Sequence, residues 1–170
     1  MILETERLWL REMTDADFPD LCAILQDAET MYAYAHAFDD NEARAWLQKQ
    51  QKNYADYGFG LWAVLRKGED RLIGQCGLTW QDWEGRRVLE VGYLFNRAEW
   101  HQGYATEAAV ACKQYAFDQG LADEVYSIIR DNNFASQNVA KRNGMQPVGR
   151  FTKHYYGIDM PHIVFSVRRG

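Results

Sequence analysis

One stretch near the middle of the chain restricts its folding more than any other. Val88-Leu89-Glu90-Val91-Gly92-Tyr93-Leu94-Phe95 reads as a strand, with Leu89, Val91, Tyr93 and Phe95 on one face and Glu90, Gly92 and Leu94 on the other. A polar loop follows, and then Gln102-Gly103-Tyr104-Ala105-Thr106 feeds a helix. Ala105, Ala108, Ala109, Cys112 and Ala116 form a stripe of small residues that lets this helix lie close on a sheet, and Gly120 closes it. Glu124-Val125-Tyr126-Ser127-Ile128-Ile129 is the next strand. A strand–helix–strand unit of this kind makes its two strands parallel neighbours and fixes the hand of the crossover.

The flanking sequence is built differently. Arg7 to Arg11 forms a first strand, and Thr14 caps a helix carrying Phe18, Leu21, Cys22 and Leu25 at helical spacing. Met31 to Phe38 is aromatic and aperiodic, a loop or short turn over a pocket. Asp39 or Asp40 caps a second helix of roughly 42–57, which Gly58 stops. Leu61–Leu65 and Arg71–Trp80 flank the polar turn Lys67-Gly68-Glu69-Asp70, and a second polar turn, Gln81 to Arg87, leads into Val88–Phe95. These three strands form an antiparallel meander. After the crossover, Asn132 or Asn133 caps a short helix ending near Asn143-Gly144, and two closing strands, 147–155 and 160–168, are joined through Gly157-Ile158-Asp159. The expectation is one α+β domain over residues 1–170, with about seven strands in a mixed sheet and about four helices.

Composition sets outer limits. The net charge of -5 and a pI near 5.4 argue against a general nucleic-acid surface. Cys22, Cys76 and Cys112 are far apart, without a Cys-x-x-Cys, and read as thiols in a reducing compartment. The N-terminus lacks the basic lead and apolar core of a signal peptide, and no apolar run approaches the roughly 20 residues of a membrane span. A cytoplasmic protein is expected.

Three places carry candidate chemistry. The helix start at Gly103 offers bare N–H groups and the positive end of a dipole, an anion site suited to phosphate; a glycine easing a turn accounts for it equally. It is neither a Gly-x-x-x-x-Gly-Lys loop nor a Gly-x-Gly-x-x-Gly fingerprint. Glu90 places a carboxylate in mid-strand, either as a proton acceptor for an ammonium substrate or in an ion pair with a nearby arginine. In Asn133-Phe134-Ala135-Ser136 the asparagine is a helix cap, and the Ser136 hydroxyl either assists a leaving group or serves the local backbone. His36, His101, His154 and His162 have no metal-ligand spacing, so no metal site is expected. No Gly-x-Ser-x-Gly elbow supports a hydrolase.

Taken in order, Gly92-Tyr93-Leu94-Phe95, Trp100-His101-Gln102-Gly103-Tyr104-Ala105-Thr106-Glu107-Ala108 and Asn133-Phe134-Ala135-Ser136-Gln137-Asn138-Val139-Ala140 resemble the GNAT N-acetyltransferase superfamily. The opening Leu3-Glu4-Thr5-Glu6-Arg7-Leu8 is similar to its branch of ribosomal-protein N-terminal (Rim-type) acetyltransferases. The likeness covers nearly the whole chain. It implies a GNAT-like fold in which a bulge splays the parallel pair, acetyl-coenzyme A as cofactor, and a primary amine (a protein N-terminus or a small molecule) as acceptor. By that resemblance Gln102, Gly103, Tyr104, Ala105 and Thr106 would cradle the pyrophosphate, Leu94, Phe95 and Asn96 would pair with the pantetheine arm, and Asn133 would contact that arm. Ser136 would lie by the thiolate. Two positions depart from the pattern: Trp100 stands where Gln or Arg is frequent, and Ala140 where many members carry a tyrosine acid. Ser136 then becomes the candidate for thiolate assistance and Glu90 the candidate base.

For the acceptor, the resemblance implies a pocket between the first helical region and the last hairpin, with Tyr32, Tyr34, His36, Trp80, Tyr93, His154 and Tyr155 as lining candidates. These are mostly aromatic and neutral and set no charge rule for the substrate, so a ribosomal-protein N-terminus, an amino acid, a polyamine and an antibiotic all stay open as acceptors; the acidic net charge mildly favours cationic ones. A non-catalytic acetyl-coenzyme A sensor is the alternative reading. Neither nucleic acid nor membrane is expected as a partner, and monomer and homodimer both stay open.

Overall fold

The structure is a computed structural model describing residues 1–155 and 157–170. Among the described residues, eight strands form one sheet: β1 (Leu3–Glu4), β2 (Leu8–Arg11), β3 (Leu61–Arg66), β4 (Gly74–Trp83), β5 (Arg86–Phe95), β6 (Glu124–Arg130), β7 (Gln146–Tyr155) and β8 (Ile158–Arg168). Their order across the sheet is β1-β2-β3-β4-β5-β6-β8-β7. The helices are α1 (Phe18–Leu25), α2 (Asp40–Tyr57), α3 (Tyr104–Asp118) and α4 (Phe134–Arg142). The strand beyond the seven expected is β1, whose Leu3 pairs with Leu10. Two residues are too few for an alternating pattern to show.

Both faces of the sheet are covered. On one, the small residues Ala108, Ala109, Cys112 and Ala116 of α3 are fully buried against Trp62, Cys76, Leu89 and Val91. On the other, Leu21, Ile24 and Leu25 of α1 and Ala43 and Leu47 of α2 pack on Leu61, Ala63 and Leu65. Burial on both faces explains why β3 is an unbroken apolar run. The Asp39 side chain accepts from the Glu42 N–H at 2.8 Å to start α2, and Gly58, at φ 79°, ends it.

The β4–β5 turn is tighter than the sequence indicates. Polar residues 81–87 read as a turn, yet only Glu84 and Gly85, at φ 50° and 70°, make it. Both strands run to its edge because Trp83 is buried beside Tyr126 and Val164, with its ring over Gly149. Between β3 and β4, the second strand begins at Gly74 and not at Arg71, although Leu72 and Ile73 are buried.

The parallel pair lies at the centre. β5 meets β6 only at Leu89↔Val125 and Glu90↔Tyr126, and beyond Glu90 the strands part. The resemblance attributes such a splay to a bulge, but the β4–β5 register is unbroken from Gly74↔Phe95 to Trp83↔Arg86. Side chains occupy the gap instead. The Ile128 N–H donates to a Glu90 carboxylate oxygen at 2.7 Å, and the Ser127 hydroxyl donates to the Val91 carbonyl at 2.7 Å.

Candidate active site

Two cavities adjoin the splay. One, about 520 Å³, is walled by α2, the end of β6 and the β7–β8 hairpin. The other, about 350 Å³, lies between the end of β5, the start of α3 and α4. Tyr93, Leu94, Asn133 and Ser136 line both, so the cavities meet at these residues.

The smaller cavity has the features of an anion cradle. Gly103, at φ 80°, turns the chain into α3, and no side chain caps this helix, unlike α2 and α4. The N–H groups of Tyr104, Ala105 and Thr106 precede the first intrahelical bond, from the Glu107 N–H to the Gly103 carbonyl at 3.0 Å. They sit at the positive end of a 15-residue helix.

A clasp from the N-terminal segment fixes this turn. Glu107 accepts from the Arg7 backbone N–H at 2.9 Å, from Arg7 Nε at 2.7 Å and from the Thr5 hydroxyl. Arg7 Nη1 also donates to the Gln102 carbonyl at 2.8 Å, and its guanidinium lies 4.5 Å from the centre of the Tyr104 ring. Burial works to raise the Glu107 pKa, but these hydrogen bonds outweigh it and hold the group below the ordinary carboxylate range. Residues this far apart in sequence gave no local signal.

The open edge of β5 faces the same cavity. The Val91 carbonyl points into the splay, where it meets Ser127, and the Phe95 carbonyl accepts from Trp100 Nε1 at 2.9 Å. Backbone direction alternates along a strand, so Tyr93, between them, turns its own N–H and C=O into the opening. Leu94 pairs with Gln75, and the Asn96 N–H donates to the Ile73 carbonyl at 2.9 Å.

At the junction, the Tyr93 hydroxyl donates to the Ser136 carbonyl at 2.8 Å. The Ser136 N–H donates to the Asn133 side chain at 3.2 Å, which caps α4. Both backbone groups of Ser136 are thereby engaged, while its side chain lines both cavities. Ala140 is buried, so this part of α4 offers no phenol.

Glu90 faces the larger cavity. Its partner is the Ile128 backbone and not an arginine, and burial pushes its pKa up to about 7 against the opposing pull of that hydrogen bond and of Lys153. Burial also pushes the hydroxyls of Tyr34 and Tyr93 well above the ordinary tyrosine range. Tyr34 packs edge-on against Phe38 and Trp46, forming an aromatic wall.

Of the acceptor candidates, Tyr34, Trp80, Tyr93 and Tyr155 line the larger cavity. Tyr32 lines the smaller one instead, and His36 and His154 line neither; His36 lies 2.9 Å from Glu42, and His154 pairs with Asp159. Of the cofactor candidates, Leu94, Phe95, Gly103, Tyr104, Ala105, Thr106, Asn133 and Ser136 line the smaller cavity. Gln102 contributes its carbonyl to the Arg7 clasp, and Asn96 accepts from the Ala98 N–H. Lys49, Arg130 and Lys153 also line the larger cavity, and no sequence signal points to them, because residues on a helix and two strands far apart in the chain share no local motif. Among the described residues, no group of His, Cys, Asp and Glu is arranged to hold a metal, and no helix is long and apolar enough to cross a membrane.

Residues 7–146 match the acetyltransferase (GNAT) domain family. The chain is 38% identical over 144 residues to the uncharacterized protein YkkB of Bacillus subtilis, covering 84% of each. In structure it is similar to a GNAT-family acetyltransferase from Bacillus anthracis, with a TM-score of 0.81 at 22% identity over 98% of this chain and 97% of that one. It is also similar to RimL, a ribosomal alpha-N-protein acetyltransferase in complex with coenzyme A, with a TM-score of 0.78 at 16% identity over 98% and 97%.

Proposed function

The chain belongs to the GNAT acetyltransferase family and is an acetyl-coenzyme A-dependent N-acetyltransferase; on that premise we propose that it transfers the acetyl group directly to a primary amine at the strand splay. One observation carries this reading: a donor cavity and an acceptor cavity meet at Tyr93, Leu94, Asn133 and Ser136. Direct transfer needs both substrates present at one point, and the meeting of the two cavities supports it.

The residues present fit coenzyme A. The uncapped N–H groups of residues 104–106 suit a pyrophosphate, and a side chain at position 103 would crowd that approach. The open edge of β5 suits an amide-bearing arm that pairs like an added strand. When bound, acetyl-coenzyme A supplies the activated acyl group.

The chain's own groups then divide the work. The Tyr93 N–H, turned into the splay, polarises the thioester oxygen. Glu90 removes a proton from the ammonium, directly or through water, and a pKa of about 7 suits it to that task near neutrality. The Ser136 hydroxyl donates to the departing sulfur, in a place where Ala140 provides nothing. This activity belongs to a single domain, and three free cysteines suit the cytoplasm.

The test is thiol release from acetyl-coenzyme A across a panel of amines. Amine-dependent release is the expected result. Tight binding of acetyl-coenzyme A with no release across a broad panel would instead support a sensor.

A further inference from the structure

The acceptor cavity is basic, although the protein as a whole is acidic. Among the described lining residues, the side chains of ordinary formal charge are Lys49, Arg130 and Lys153 against Glu90 alone. None of the three cations belongs to an ion pair among the described residues, whereas arginines elsewhere on the surface commonly do. The sheet explains how two of them come together. Arg130 on β6 is opposite His162 on β8, and His162 is opposite Phe151 on β7. Cross-strand partners share a face, and Lys153, two residues beyond Phe151, shares it too.

His162 does not alter the balance. It is buried, with Nδ1 2.8 Å from the Met160 carbonyl, and burial lowers its pKa, with Lys153 and Arg130 adding to the effect against the opposing pull of that carbonyl and of Asp131. Arg130 also has unused capacity. Its Nη1 donates to the Tyr32 carbonyl at 3.0 Å, and its buried Nε has no partner among the described residues.

The cavity therefore has an acid at the splay, where the amine must arrive, and bases across its remaining walls. From this arrangement we infer that the acceptor is a small zwitterionic amine whose oxyanion, a carboxylate or a phosphate, is held by Lys153 and Arg130, with Lys49 facing it from α2. The inference rests on the amine-acetyltransferase reading and adds the acceptor's chemical class. A volume of about 520 Å³ accommodates a molecule on the scale of an amino acid or short peptide. A polyamine would bring further positive charge against three unpaired cations.

Matched amines test it: an α-amino acid against its carboxamide, and phosphoethanolamine against ethanolamine. Each is titrated into the protein saturated with coenzyme A, and each is assayed for thiol release with acetyl-coenzyme A. The anionic member of at least one pair should bind and react about tenfold better, less so at high salt; the pair that shows the preference distinguishes carboxylate from phosphate. Lys153→Met should reduce that ratio about tenfold through KM, and Lys153→Arg should restore most of it. Because Lys153 also influences Glu90, the ratio within a pair is the relevant quantity, since a change at Glu90 affects both members alike. Equal binding within both pairs, or better binding of the neutral member, overturns the inference whether or not acetyl transfer occurs. Preferential binding of the anionic amine without thiol release overturns the transfer reading and supports the charge selection.

Discussion

Glu90→Gln separates the cost of burying a carboxylate from everything else that Glu90 does. Glutamine keeps the shape and an oxygen to accept from the Ile128 N–H. The native carboxyl titrates at about 7, against 4.5 for an unperturbed glutamate. Its folded pKa is raised, so between these values the folded state holds the proton more tightly than the unfolded state, and stability falls as pH rises. At about 1.36 kcal/mol per pH unit the loss amounts to as much as about 3 kcal/mol, complete above pH 7 and absent below pH 4.5. Urea unfolding of both proteins from pH 4 to pH 9 isolates this contribution, because every other titrating group is shared. The stability of the variant relative to wild type should rise by about 2 to 3 kcal/mol across that range. Parallel stability curves would refute the burial argument. The same pair tests the chemistry: wild-type kcat/KM should rise with pH through an inflection near 7, and the variant should lose both the inflection and most of the rate. An unmoved pH–rate profile makes Glu90 purely structural.

Ser136→Ala keeps both backbone hydrogen bonds at that position, so stability and acetyl-coenzyme A binding should hold while kcat falls about tenfold; unchanged turnover removes Ser136 from the reaction. Gly103→Ala forces a side chain to φ 80° and places it 3.3 Å from Arg7 Nη2, which should cost about 1 to 2 kcal/mol and a few degrees of Tm, with a higher KM for acetyl-coenzyme A. Arg7→Met opens the clasp on the same turn and should raise that KM about fivefold with little change in kcat.

Much of the fold was legible because its signals are local. The strand, glycine turn and small-residue helix from Val88 to Ala116 follow from periodicity and side-chain size, and α2 begins and ends at the residues whose caps announce it. The proposed donor side was legible for the same reason: Gly103 turns the chain into α3 and Asn133 caps α4, each where it stands. The elements least well bounded were those set by distant packing. Trp83 extends β4 because Gly149, far along the chain, leaves room for its ring. The splay depends on Glu90 and Ser127 reaching across strands, a contact invisible until the strands are placed. The charge of the larger cavity was hidden most completely. Lys49, Arg130 and Lys153 are dispersed in a chain of net charge -5, and only the sheet order and the position of α2 bring them to one cavity.

A crystal structure with coenzyme A bound tests the central claim most directly. The pyrophosphate should lie on the N–H groups of residues 104–106, the arm should run along the open edge of β5, and the sulfur should reach the splay between Tyr93 and Ser136. A pyrophosphate bound away from the start of α3, or an arm that leaves the splay empty, would contradict the account.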